Sequence, residues 1–234
     1  MMQTAVIGAG YTGTRVLRRL GADSGVAFSR SELPGFVSHR LDLDQDPTTL
    51  AAMPRRVLYT VPPPQDSSGD ARLKRFLGAL TEPPERIVYL STTGVYGDLR
   101  ASVASETTRP APLTPRARRR LAAEEMLQSW CASHETLCII LRVPGIYGPG
   151  RLGIERIMAR EPYIREEDAN PGNRIHADDL AGASIAALSR NIPADIYNVG
   201  DGDSRSSTWF GLTVARLAGL PAPPLVSRAE AERT

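Results

Sequence analysis

The fold can be predicted from one stretch of the sequence, Thr4-Ala5-Val6-Ile7-Gly8-Ala9-Gly10-Tyr11-Thr12-Gly13. Its first four residues are typical of a buried strand, and residues 14–20 are typical of a helix. The glycines between them allow a tight turn, close approach of the backbone to a pyrophosphate, and close packing of helix on strand. The helix N-terminus adds free N–H groups and a positive dipole end. We therefore predict a dinucleotide site rather than a glycine turn without a ligand, with cofactor contacts at Gly8, Gly10, Tyr11, Thr12 and Gly13.

Strand-like and helix-like segments alternate along the rest of the chain, which favours a parallel sheet with crossover helices. The predicted strands cover residues 4–7, 26–28, a segment ending at 41, 57–61, 87–90, 136–141 and 196–199. The predicted helices cover residues 14–20, 71–80, 116–130, 178–188 and 209–217. The predicted fold class is α/β, a Rossmann doubly wound parallel sheet with a small C-terminal substrate lobe. Residues 1–148 are assigned to the NAD(P)-binding core. Residues 149–234 are assigned to a small substrate-side lobe, interleaved with the end of the core in a single structural unit, and the tail from Pro221 is predicted to be poorly ordered.

Composition narrows the class of protein. A length of 234 residues fits one α/β domain, with or without a small lobe. A formal charge of +2 gives no bulk basicity, so neither nucleic acid nor a membrane is expected as a partner. Cys131 and Cys138 lack metal-ligand spacing, so no metal site is predicted. No apolar run reaches membrane-span length and no secretory leader is recognisable, so a cytoplasmic location is expected. The expected partner is a small-molecule substrate; an anionic substrate and a homodimer are left open.

The residues after the second predicted strand bear on which dinucleotide binds. An NAD site usually places Asp or Glu there, to bind the ribose 2′-hydroxyl. This chain has Ser29-Arg30-Ser31 instead, and the first acid is Glu32. Because arginine and hydroxyl groups can hold a 2′-phosphate that a carboxylate would repel, we predict NADP(H) rather than NAD(H), with contacts at Ser29, Arg30 and Ser31. The alternative is that Arg30 is a solvated turn residue.

Four further segments, with the glycine loop, carry a resemblance to a known family. They are Leu90-Ser91-Thr92-Thr93-Gly94-Val95-Tyr96-Gly97-Asp98, Leu121-Ala122-Ala123-Glu124, Leu141-Arg142-Val143-Pro144-Gly145-Ile146-Tyr147-Gly148-Pro149-Gly150 and Arg174-Ile175-His176-Ala177-Asp178-Asp179-Leu180. Their order and motifs resemble the short-chain dehydrogenase/reductase superfamily, in its atypical or extended, epimerase/dehydratase-like branch.

The resemblance implies further site residues. Asp42 and Leu43 would lie beside the adenine, and Val61 and Pro62 near the cofactor ribose. Pro144 and Ile146 would lie near the nicotinamide. Thr92 would hydrogen-bond the substrate oxygen at the carbon that gains or loses a hydride.

The chain departs from the family at its proton-transfer pair, Tyr-x-x-x-Lys, on the helix that leads into L-x-x-E. Counting back from Leu121 places Arg116 at the tyrosine position and Arg120 at the lysine position. No tyrosine occurs between Gly97 and Ile146, and Lys74 is the only lysine in the chain. Because a guanidinium keeps its proton at pH 7, Arg116 cannot act as an ordinary general acid, and the standard mechanism is not expected.

The arginine-rich run at 116–120 leaves three interpretations open: a solvated helix face, a clamp of Arg116 and Arg120 on an anionic ligand, or contact with an acidic partner. Thr92, Tyr147 or a water could transfer the proton, and His176 is a weaker candidate. Asp178 and Asp179 are expected to cap the following helix. The candidate catalytic residues are Thr92, Tyr147, Arg116 and Arg120.

Two functions follow from these observations. The first is an NADP(H)-dependent oxidoreductase or epimerase/dehydratase-type enzyme with a non-standard proton donor. The alternative is a non-catalytic NADP(H)-binding sensor or assembly protein.

Overall fold

A computed structural model of the protein describes residues 3–45, 50, 53–65, 69–99 and 102–233. The strands are β1 (Thr4–Ile7), β2 (Gly25–Ser29), β3 (Val37–Arg40), β4 (Arg56–Tyr59), β5 (Arg86–Thr92), β6 (Leu137–Val143), β7 (Gly145–Tyr147), β8 (Tyr163–Ile164), β9 (Arg174–His176), β10 (Ile196–Asn198) and β11 (Leu225–Val226). The helices are α1 (Tyr11–Leu20), α2 (Ala71–Ala79), α3 (Pro115–Ser133), α4 (Ile154–Met158), α5 (Ala177–Ser189), α6 (Ser207–Leu217) and α7 (Arg228–Ala231).

Seven strands form one parallel sheet in the order β10-β6-β5-β4-β1-β2-β3. The first strand, β1, pairs in parallel with both β2 and β4. The strand order therefore reverses at β1, and in doubly wound sheets the ligand crevice lies at this point, beyond the carboxyl ends of the strands. The predicted Rossmann architecture is confirmed, and the glycine loop after β1 lies between the ends of β2 and β4.

Alternating residues of the strands form two cores, one on each face of the sheet. In β1, Ala5 and Ile7 belong to the core beneath α2 and α3, whereas Val6 belongs to the core beneath α1 and α5. This alternation is the period-two pattern of a strand that is buried on both faces.

Polar side chains link three of the family-like segments inside the sheet–helix interface. Glu124 on α3 is 1% exposed and binds the Arg142 guanidinium of β6, with Oε2 2.7 Å from Nη2. The Ser91 hydroxyl at the end of β5 donates to the same carboxylate. Since each buried charge is paired and hydrogen-bonded, the network holds α3 in register with β5 and β6.

The C-terminal residues build a small lobe and also complete the main sheet. β10 adds the edge strand beside β6, and α5 packs against α1. A separate apolar cluster of Ile157, Tyr163, Val214 and Ala215 lies between α4, β8 and α6. Among the described residues, no helix combines the length and apolar character that crossing a membrane would require.

The prediction of a poorly ordered tail from Pro221 was wrong. β11 pairs in parallel with β8, and the Pro224 and Val226 carbonyls accept hydrogen bonds from the backbone N–H groups of Tyr163 and Arg165, at 2.9 and 2.8 Å. Ser227 and Glu230 then form a capping box at the start of α7. The tail is ordered because it satisfies backbone donors of a strand that precedes it by about sixty residues.

Candidate functional site

The glycine loop forms the floor of the ligand crevice. Gly8 has a φ of +93°, and a Cβ there would lie 2.7 Å from Thr60 Oγ1. A Cβ on Gly13 would overlap the Gly8 carbonyl oxygen, so α1 can approach β1 only with glycine at this position. The Thr60 hydroxyl donates to the Gly8 carbonyl oxygen at 2.7 Å, which attaches the loop to the end of β4.

Gly10 differs from the other two glycines because a Cβ there would meet no atom within 4 Å. The space in front of it is open, and it is the N-cap of α1, whose first turn contains no acidic residue. The side chains of the next two residues have contacts within the protein. Tyr11 donates to the Pro149 carbonyl oxygen at 2.9 Å, and Thr12 is buried.

A cavity of about 380 Å³ lies beside this loop, across the ends of β1, β2 and β4. Nine of the predicted cofactor contacts line it: Gly8, Gly10, Ser29, Arg30, Ser31, Asp42, Leu43, Val61 and Pro62. Sequence reasoning missed Thr60 and Arg72, which also line it. Thr60 directly precedes the predicted contact Val61, whereas no sequence motif identifies Arg72. We refer to this space as the cofactor cavity, after the predicted contacts that line it.

Arg72, at the start of α2, joins two loops of the cofactor cavity. Its guanidinium binds Asp44 with Nε–Oδ1 and Nη2–Oδ2 distances of 2.6 and 2.7 Å, and Nη1 donates to the Pro62 carbonyl oxygen at 3.1 Å. The hydrogen bond from Arg72 lowers the pKa of Asp44. The loop after β3 is thereby attached to the loop after β4.

The end of β2 carries the predicted 2′-phosphate contacts. Ser29 Oγ donates to the Ser31 carbonyl oxygen at 2.6 Å, which closes the turn. Arg30 and Ser31 are exposed at the rim of the cavity. Glu32 also lines the cavity.

Thr92 ends β5 and is half-buried. Its Oγ1 accepts a hydrogen bond from the Gly94 backbone N–H at 3.1 Å and so caps the 3-10 turn of Thr93–Tyr96. The hydroxyl keeps its own hydrogen to donate, which is what a contact to a substrate oxygen requires.

Tyr147 on β7 lies on the lobe side of the crevice. Its ring packs edge-on against His176 and Phe210, with 5.3 Å between ring centroids in each case. Desolvation, together with the charge and hydrogen bond of Asp201, raises the pKa of the Tyr147 phenol. The phenol therefore stays protonated at neutral pH, so it can donate a hydrogen bond but is a poor proton acceptor.

A second cavity, of about 870 Å³, separates β7 from the lobe. Tyr147 and Ile146 line this second cavity, and neither lines the cofactor cavity. Pro144 joins β6 to β7 and is half-buried. The structure thus places Ile146 and Tyr147 beside a different space from the one that the glycine loop forms.

His176, rather than either aspartate, caps α5. Its Nδ1 accepts from the Asp178 backbone N–H at 3.2 Å, so the expectation that Asp178 and Asp179 form the cap was wrong. Both aspartates lie in the first turn instead, where their charge favours the helix dipole. The Asp178 carboxylate also lies 3.6 Å from Arg15 of α1.

Arg116 and Arg120 have different environments. Arg120 is 8% exposed, and its Nη1 donates to the Tyr89 hydroxyl at 2.9 Å and to the Leu90 carbonyl oxygen at 2.8 Å. Arg116 is exposed. A purely solvated helix face is therefore wrong for Arg120, and in a clamp formed by both side chains the Arg120 Nη1 would already be bound to β5.

Comparisons with known proteins give a family match. The family model described as the NAD dependent epimerase/dehydratase family matches residues 73–200, more than half of the chain. Human dTDP-D-glucose 4,6-dehydratase is 27% identical over 143 residues, which cover 57% of this chain and only 39% of the human protein. The protein YeeZ of Escherichia coli K12 is 27% identical over 246 aligned positions, covering 95% of this chain and 86% of YeeZ.

Solved structures show the same fold. A functionally unknown conserved protein from Silicibacter pomeroyi DSS superposes with a TM-score of 0.82 and 27% identity, covering 100% of this chain and 84% of that one. MoeE5 in complex with UDP-glucose and NAD superposes with a TM-score of 0.75 and 24% identity, covering 96% and 85% of the two chains.

Proposed function

This chain belongs to the NAD-dependent epimerase/dehydratase family, and on that premise we propose that it is an NADP(H)-dependent enzyme of the oxidoreductase or epimerase/dehydratase type. The observation that carries the proposal is the cofactor cavity itself. The glycine loop and the exposed end of β2 line this cavity. It lies beyond the carboxyl ends of the strands, at the point where the strand order reverses.

The residues present fit a phosphorylated dinucleotide. The open space before Gly10 leaves room for a pyrophosphate at the N-terminus of α1, whose first turn carries no competing carboxylate. The exposed Arg30 is suited to hold a 2′-phosphate, with Ser31 beside it. Arg30 directly follows β2, where an NAD site usually has its acid, so we assign the phosphate to Arg30.

When bound, the nicotinamide supplies or accepts the hydride. We assign substrate orientation to the Thr92 hydroxyl, which retains a hydrogen to donate to a substrate oxygen. We assign the role of non-standard proton donor to the Tyr147 phenol, which is protonated at neutral pH and hydrogen-bonded to Asp201. Donation to the substrate replaces that hydrogen bond. Arg116 keeps its proton, so it does not act as the proton donor.

We further propose a sugar nucleotide as the substrate. Two comparisons support this: a relative is named as a dTDP-D-glucose dehydratase, and a structural neighbour was solved with UDP-glucose. The second cavity, beside Tyr147, has a volume of about 870 Å³, and we assign the sugar to it.

The first experiment measures cofactor choice. Dissociation constants for NADPH and NADH are compared in the wild type and in Arg30→Gln, with Arg18→Gln, an exposed arginine at the far end of α1, as the matched control. We expect tighter NADPH binding in the wild type. Arg30→Gln should weaken NADPH binding about ten-fold and leave NADH unchanged. Tighter NADH binding by the wild type would contradict the NADP(H) assignment.

A second candidate, a non-catalytic NADP(H)-binding sensor or assembly protein, is favoured by one observation. Arg120, at the position that the family resemblance assigns to the catalytic lysine, is committed to Tyr89 and Leu90. Turnover of a panel of UDP- and dTDP-sugars distinguishes the two functions. The enzyme should convert at least one of these sugars into product with NADP+ as the hydride acceptor, at a rate that Thr92→Ala reduces at least about ten-fold, whereas a sensor should bind the cofactor without product formation.

A further inference from the structure

A third space, which we name the arginine groove, adjoins the cofactor cavity. It has a volume of about 1220 Å³ and lies between the N-terminal ends of α2 and α3 and the loop after β4. It shares Asp44, Pro62 and Arg72 with the cofactor cavity, so the two spaces lie on either side of these three residues. Its arginines are Arg72, Arg75, Arg116, Arg119 and Arg120.

The groove carries a large excess of positive charge. Among its described lining residues Asp44 is the one acid, and five arginines against one carboxylate leave a net charge of +4. The Asp44 carboxylate is already bound by Arg72 through two hydrogen bonds. Arg120 forms part of the wall, and its hydrogen-bond partners are an uncharged hydroxyl and carbonyl. The buried Asp70 carboxylate interacts with the Arg120 charge but does not line the groove.

Two helix N-termini add to this potential. Ala71 of α2 and Pro115 of α3 are the first residues of their helices, and both line the groove. In a parallel sheet with crossover helices, helix N-termini and strand carboxyl ends lie at the same edge, so both positive dipole ends point toward this space. Such a concentration of positive charge favours an anionic occupant.

The existing contacts of the groove arginines indicate which of them would bind an anion directly. Arg72 is held by Asp44 and Pro62, Arg75 donates to the Leu43 carbonyl oxygen at 3.1 Å, and Arg120 is buried. Arg116 is exposed and Arg119 is half-buried. These two are three residues apart on α3 and therefore lie on the same face of the helix.

We propose that the arginine groove is a subsite for an anionic group of the substrate, a phosphate or a carboxylate, with Arg116 and Arg119 as its direct ligands. The proposal rests on the proposed function, because the groove matters to catalysis only if a substrate reacts beside the cofactor cavity. Arg116 then anchors the substrate from the position that the family resemblance assigns to the catalytic tyrosine. Two guanidinium groups suit this task because each can bind an oxyanion through two parallel N–H donors.

The test is calorimetric titration of the full chain with inorganic pyrophosphate and, separately, with malonate, each with and without saturating NADPH. The variants are Arg116→Gln/Arg119→Gln and the matched control Arg118→Gln. Arg118 has the same charge on the same helix, but it donates to the Leu113 carbonyl oxygen at 3.1 Å and does not line the groove. The tighter of the two ligands identifies the anionic group as phosphate or carboxylate.

We expect the NADPH-saturated wild type to bind at least one of the two anions. Binding should weaken about 100-fold in the double variant, about ten-fold in each single variant, and by less than about two-fold in Arg118→Gln. NADPH affinity should be unchanged in all of them. The single variants carry the test if the double variant does not fold.

Three results would overturn the proposal. They are the absence of anion binding in the wild type, equal affinity in the arginine variants, and anion binding that NADPH abolishes, since that anion would occupy the glycine loop. If NADPH itself does not bind to the wild type, the proposed function fails, and the titrations without NADPH still decide whether Arg116 and Arg119 form an anion site.

Discussion

At the scale of single residues, Asp70 shows how this protein places a charge beneath the arginine groove. Its side chain caps α2, with Oδ1 accepting from the Leu73 backbone N–H at 2.9 Å. Asp70 is 1% exposed, and among the described residues Oδ2 has no hydrogen-bond partner. Burial raises the pKa of Asp70, although the Leu73 hydrogen bond and the Arg120 charge act in the opposite direction.

The raised pKa predicts the pH dependence of an Asp70→Asn variant. Ionised Asp70 is less stable in the folded than in the unfolded chain, so its contribution to stability is most favourable below the unfolded pKa and falls as pH rises through the folded pKa. Asparagine preserves the cap without the charge. We therefore expect Asp70→Asn to be more stable than the wild type near neutral pH, with the difference shrinking toward about pH 4.

Urea unfolding at about pH 4 and about pH 8 measures this difference. Asp23→Asn, which removes the same charge from an exposed site, should follow the wild type at both pH values. A stability difference for Asp70→Asn that does not change between the two pH values would contradict the role assigned to the buried charge.

At the scale of elements, the glycines in the turn from β1 to α1 have different roles, one in packing and one in the proposed binding of the cofactor. Gly13 is required by packing, because its missing Cβ is the space that the Gly8 carbonyl occupies. Gly10 has open space before it, and its φ of −80° suits any residue. The two glycines of one motif therefore have different physical reasons to be glycine.

This difference predicts opposite behaviour for two alanine variants. Gly13→Ala should force α1 away from β1 and lower the free energy of unfolding by about 1–3 kcal/mol, the range for overpacking. Gly10→Ala should leave stability within about 0.5 kcal/mol of the wild type. It should weaken NADPH binding at least about ten-fold, because the methyl group occupies the space assigned to the pyrophosphate.

Thermal unfolding and NADPH titration of each variant measure both effects, with Gly78→Ala on the exposed side of α2 as the control substitution. Equal NADPH affinity in Gly10→Ala and the wild type would place the pyrophosphate elsewhere.

At the scale of the whole molecule, the lobe has its own small core and a two-residue ladder. The cluster around Tyr163 is separate from the two cores of the sheet. β8 pairs with β11, and the Pro224 and Val226 carbonyls accept from the Tyr163 and Arg165 backbone N–H groups. Because the core of the lobe is much smaller than the two cores of the sheet, we expect the lobe to unfold locally at a lower free energy than the sheet.

A chain truncated after Leu220 tests this arrangement. Hydrogen exchange should accelerate at Tyr163 and Arg165, whose partners are removed, and stay slow in β1, β4 and β5, which lie within the sheet. Mass-spectrometric exchange measurements on the truncated and full chains make the comparison. Loss of protection throughout the sheet would show that the tail stabilises the whole molecule rather than the lobe.

Contiguous features of the sequence predicted much of the fold and part of the site. The order of strands and helices, the glycine loop and nine of the residues that line the cofactor cavity follow from local patterns and from the family resemblance, and their contact with a cofactor stays a prediction. The prediction for the tail from Pro221 failed because the order of the tail depends on pairing with β8, which is far away in the chain. Arg72 was missed for a similar reason, since only the folded chain brings it to Asp44.

The sequence by itself determined the β1–glycine loop–α1 unit, because turn, dipole and helix packing all act within a dozen neighbouring residues. It also determined that arginine stands where the family resemblance assigns tyrosine and lysine. Only the tertiary structure decided what those arginines do. Parallel strand order brings the N-termini of α2 and α3 together, so Arg116 and Arg119 join arginines more than forty residues away, while Arg120 turns inward to bind β5. That division cannot be read from spacing along one helix, because it depends on which neighbours the sheet supplies.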